Sequence, residues 1–78
     1  MSKLKDLVIR HSADIRQMQR VAIEAIAAAL ESATHVDELK GAIREALDTL
    51  ADRQKAAEER YSVKLQEIDR SARKHHGN

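Results

Sequence analysis

Cysteine and proline are absent from this 78-residue chain, and so are tryptophan and phenylalanine. Without cysteine, no disulfide staples the fold and no thiolate metal site can form. Without proline, nothing in the chain forces a helix to kink. Tyr61 is the one aromatic residue, so any core must be aliphatic, and a platform for stacking nucleobases is missing. Long apolar runs are missing too. The longest, Val21 to Leu30, is interrupted by Glu24 and is too short for a bilayer, which needs about 20 residues. The first residues, Met1 to Asp6, lack the apolar stretch of a secretory signal. Together these features predict a cytoplasmic protein with no membrane partner.

What is present favours helix. Alanine, leucine, glutamate, lysine and arginine dominate, and all five are good helix formers. Apolar residues recur in steps of three and four. Leu4, Val8, His11, Ile15, Met18, Ala22, Ala25 and Ala29 form one heptad-like stripe. Val36, Leu39, Ile43, Leu47, Leu50, Gln54, Ala57, Tyr61, Leu65, Ile68 and Ala72 form another. Between the stripes, Ser32 to Asp37 is polar and β-branched. The pattern predicts an all-α fold with a single domain over residues 1–78. It is an antiparallel two-helix hairpin of coiled-coil type, with a helix at about 3–33, a turn at about 34–36 and a helix at about 36–75. Thr34 is the expected N-cap of the second helix, with Asp37 three residues later as its reciprocal acid. Gly41 is read as permitting a close helix contact, and Gly77 as a helix stop. A reversal near residues 34 and 35 pairs positions whose numbers sum to about 69, such as Leu4 with Leu65, Val8 with Tyr61 and Ile26 with Ile43. His11 then faces Ala57 and Glu58.

A chain of this size builds only a small core and commonly needs outside help. After Met18 the first stripe widens, because Val21, Ile23, Ile26 and Leu30 add a second apolar edge. Two helices cover one seam, so the extra edge predicts self-association. Pairing two hairpins as a homodimer gives a four-helix bundle. Tyr61 joins these residues as a candidate at the association surface, or packs on Val8 within the hairpin.

The net charge of +1 conceals a division along the chain. Residues 1–20 carry +3, residues 21–52 carry −5 and residues 53–78 carry +3. A hairpin gathers the two basic segments at its open end and leaves the acidic segment at its turn. Arg10, Arg16, Arg20, Arg70, Arg73 and Lys74 are the candidate partner-binding cations there.

No catalytic residue, cofactor site or metal site emerges. His11 and His35 are isolated, and the adjacent His75 and His76 point about 100° apart on a helix. No His-Glu-x-x-His or Glu-x-x-His spacing occurs, and no serine sits in a nucleophile elbow. The sequence therefore predicts a small non-enzymatic protein–protein interaction module, a regulator or inhibitor that binds another protein as a dimer. The alternatives are a nucleic-acid-binding accessory protein using the basic open end, and a structural assembly protein.

Overall fold

The computed structural model describes residues 2–76, with side chains as far as Arg73. Two helices account for nearly all of it: α1 over Lys3–Ser32 and α2 over Val36–His76. They fold back on each other as an all-α hairpin measuring 66 × 20 × 8 Å. The radius of gyration is 18.4 Å, against about 12 Å for a compact domain of this length. The molecule is a rod.

The joint occupies residues 33–35. α1 stops because Ala33 turns to extended backbone (φ −72°, ψ 133°), while its N–H still donates to the Ala29 carbonyl at 2.8 Å. The Ser32 hydroxyl donates to the Ala28 carbonyl at 3.0 Å, a local bond that competes with continuation of the helix. On the far side, the clamp differs from the expected Thr34–Asp37 pair. Glu38 reaches back, and its Oε2 accepts from the Thr34 N–H at 3.3 Å and the Thr34 hydroxyl at 3.5 Å. Glutamate has the extra methylene needed to span that turn. Asp37 and Glu38 also place negative charge in the first turn of α2, at the positive end of its dipole.

The seam between the helices departs from a heptad. On α1 and its C-cap the positions withdrawn from solvent are Leu7, His11, Ile15, Met18, Ala22, Ile26, Ala29 and the capping Ala33. Leu4, Val8 and Ala25, which a heptad stripe would place inside, are exposed. The steps run four, four, three, which is an 11-residue period of about 3.67 residues per turn. On α2 the withdrawn row is Leu39, Ile43, Ala46, Leu50, Gln54, Ala57, Tyr61, Leu65 and Ile68, with Ala42 beside it, and it keeps the same period. Ala46 takes the place expected for Leu47, which is exposed.

One measured contact fixes the register. The His11 and Tyr61 rings stack with centroids 4.1 Å apart and planes inclined by 17°. Their numbers sum to 72, and every withdrawn position on α1 has a withdrawn counterpart on α2 with the same sum. The two rows are mirror images. Tyr61 therefore pairs with His11, not with Val8, and the register differs by three residues from the expected sum of 69. Gly41 does not serve a close approach. It is exposed, and a Cβ built on it would meet nothing within 4 Å. Gly77 lies outside the described residues.

Candidate functional site

The core is thin. The buried residues among those described are Ala22, Ala46 and Ala57, and no large side chain is fully buried. Nine large apolar side chains are instead exposed. The surfaces between the helices therefore matter more than any interior, and the 11-residue period makes the two faces of the hairpin unlike.

Residues 11 apart share a column. One column on each helix borders one face of the seam: Leu7, Met18 and Ala29 on α1, and Ala46, Ala57 and Ile68 on α2. Its opposite is bulky: Leu4, Ile15 and Ile26 on α1, and Ile43, Gln54 and Leu65 on α2. Along the first column, shallow grooves open. The first, about 280 Å³, is lined by Met18, Val21, Ala22, Ala25, Ala42, Glu45, Ala46, Thr49, Leu50 and Arg53. Two more continue toward the open end, lined by Leu7, Arg10, His11, Asp14, Ala57, Arg60, Tyr61 and Lys64, and then by Lys3, Asp6, Leu7, Arg10, Lys64, Glu67, Ile68 and Ser71. No residue of the bulky columns lines any of the three. This is the grooved face.

The other face is a ridge, with one shallow depression of about 330 Å³ beside Ile43 and Leu47. Val21 precedes Ala22 and lines a groove, whereas Ile23 follows Ala22 and falls on the opposite side of the row. Leu30 follows Ala29 in the same sense. On α2, Glu45 lies to the grooved side of Ala46 and Leu47 to the ridged side, with Val36 one period earlier. Ile23, Leu30, Val36 and Leu47 are 66, 61, 68 and 51% exposed. They flank the half-buried Ile26 and Ile43. The residues Val21, Ile23, Ile26 and Leu30 thus do not form one edge. Val21 faces the grooves, Ile26 belongs to the seam, and Ile23 and Leu30 stand on the ridge. Tyr61 is half-buried in the hairpin's own seam.

The basic residues are also redistributed. By the register, Arg16 and Arg20 lie level with the middle of α2, on the outer side of α1. Arg70 is farther along α2 than Arg20's level by about 27 Å, at 1.5 Å per residue. Lys3 lies level with Asp69, so Arg70 and Arg73 occupy an overhang of α2 with no α1 opposite. Arg73 pairs with Asp69 there at 3.2 Å, both exposed. The side chains of Lys74, His75 and His76 lie outside the described residues. Of the expected cations, Arg10 faces the grooves described above, where Lys3, Arg60 and Lys64 join it, while Arg70 and Arg73 line a separate depression on the overhang with Gln66 and Asp69. Lys3, Arg60 and Lys64 carry no sequence motif, and only the register brings them together. Asp6, Asp14 and Glu67 interleave with them, and Lys64 contacts Glu67 at 3.6 Å. The acids hold the net charge of the groove lining down.

His35 is exposed at the turn, and His11 is held in its stack. Among the described residues, no helix is long and apolar enough to cross a membrane. No family model matches the chain, and no curated protein or solved structure is similar to it at a significant level.

Proposed function

We propose that this chain is a non-enzymatic protein–protein interaction module that acts as a dimer of hairpins and regulates the protein it binds. The observation that supports this most is the exposed apolar surface: large side chains stand in water while the hairpin buries three alanines. Contiguous apolar surface on a small helical rod is characteristic of an association face. Association with a second hairpin removes it from water and builds the core that one copy lacks. The grooved face remains for the partner. Its alanine floor admits a close-lying helix, and Arg10, Arg60 and Lys64 at the open half steer an acidic one.

The test is affinity capture from the native host, comparing the wild type with Arg60→Glu/Lys64→Glu. Specific retention of one protein, lost in the variant, is the expected result. Absence of any protein retained above a scrambled-sequence control sinks the reading. A second reading, nucleic-acid binding, draws on the same cluster of Lys3, Arg10, Arg60 and Lys64. Phosphate contact would show as a salt-dependent gel shift. The interleaved Asp6, Asp14 and Glu67 disfavour it, and no shift at low salt eliminates it.

A further inference from the structure

We infer that the ridged face receives a second copy of the same chain, laid antiparallel along its full length so that each turn lies on the partner's open end. The inference rests on the dimeric reading above and specifies its face, its direction and its register. Three arrangements bring ridge against ridge: parallel rods, antiparallel rods overlapping only at their turn halves, and antiparallel rods overlapping throughout.

Charge separates them. The turn half of each rod, residues 21–52, carries −5, and the open half, from the two terminal segments, carries +6. Parallel rods set +6 beside +6 and −5 beside −5. Overlap at the turn halves alone sets −5 against −5. Full antiparallel overlap sets each −5 against a +6, at both ends at once.

The ridge also supplies apolar partners in that register. With the two-fold axis at mid-rod, Leu30 lies over Leu4 of the second copy and Ile26 over its Val8. On α2 the same axis brings Ile43 within two residues, about 3 Å, of the level of Leu65 of the second copy. The exposed Leu4 and Val8, which a heptad reading placed inside the hairpin, thereby acquire partners. A contact between identical patches closes on itself as a two-fold pair and does not propagate.

The absence of native cysteine makes the test direct. Gln19, near the proposed axis, is replaced in one variant (Gln19→Cys) and Thr34, at the turn, in another (Thr34→Cys). A short bismaleimide, which bridges thiols too far apart for a direct disulfide, should join Gln19→Cys into a covalent dimer and should not join Thr34→Cys. Spin labels on Thr34→Cys should report a separation of about 50 Å, from 17 residues on each side of the axis at 1.5 Å per residue. Cross-linking at Thr34, or a short label distance, establishes parallel rods and overturns the proposal. Cross-linking of Ala27→Cys in place of Gln19→Cys establishes turn-half overlap and also overturns it. In each of those cases the dimer itself survives. A monomer by light scattering, with wild-type helicity, removes both the arrangement and the dimeric reading.

Discussion

At Gly41 the helix carries a residue that neither packing nor backbone geometry requires. The position is exposed, and an added methyl group meets nothing. Glycine inside a helix costs about 0.5–1 kcal/mol relative to alanine. Gly41→Ala is therefore expected to stabilise the fold by about that amount, read as a higher urea midpoint at unchanged slope; a destabilised variant would show that the glycine has a contact. The His11–Tyr61 stack is the opposite case, a residue-scale interaction that sets the register of the whole rod. Stacked rings couple by about 0.5–1.5 kcal/mol beyond the area they bury. A double-mutant cycle with His11→Leu and Tyr61→Leu should return a coupling in that range. Additive effects would mean that the rings are neighbours without being partners.

Within the helices, the column through Ala46 and Ala57 lines the three connected grooves. Ala57, 3% exposed, sits where that column meets α1. Ala57→Leu forces the helices apart and should cost about 1–3 kcal/mol, whereas Ala25→Leu, at an exposed position bordering the first groove, should change stability little. Thermal denaturation of both variants checks the contrast. The hairpin itself was legible in the chain, because helix formers and three-four periodicity end at the same polar interruption. The seam was only partly legible. Leu4, Leu7 and Val8 are all apolar, so both a four-three and a four-four-three step sequence can be threaded through that turn. Residues 21–30 are apolar on both sides of the row and do not discriminate between the two. Once the period changes from seven to 11, Val21 and Ile23 fall on opposite faces. The basic site was less legible still. Arg60 and Lys64 are ordinary helix-surface residues until the register brings Arg10 alongside them.

For the molecule as a whole, a rod that buries three alanines derives little stability from its own core, so folding and association are expected to be linked. The melting temperature should then rise with protein concentration over the micromolar range, as for any state stabilised by binding its own copy. Added salt should weaken the pair, because its charge complementarity lies at the surface, where about 0.15 M salt screens charges beyond roughly 8 Å. A melting temperature independent of concentration would show that one hairpin suffices.

The 11-residue spacing of the seam has a further consequence for length. Eleven residues complete three whole turns, so an insertion of that size in α1, matched by another at the mirrored level of α2, extends the rod by about 16 Å without rotating anything beyond it. Grooves, ridge and register all carry through such an insertion unchanged. An insertion of seven, neutral in an ordinary coiled coil, would rotate the ridge of one half by about 33° relative to the other and break the seam's alignment. The rod thus lengthens only in fixed increments if it is to keep presenting the same two surfaces.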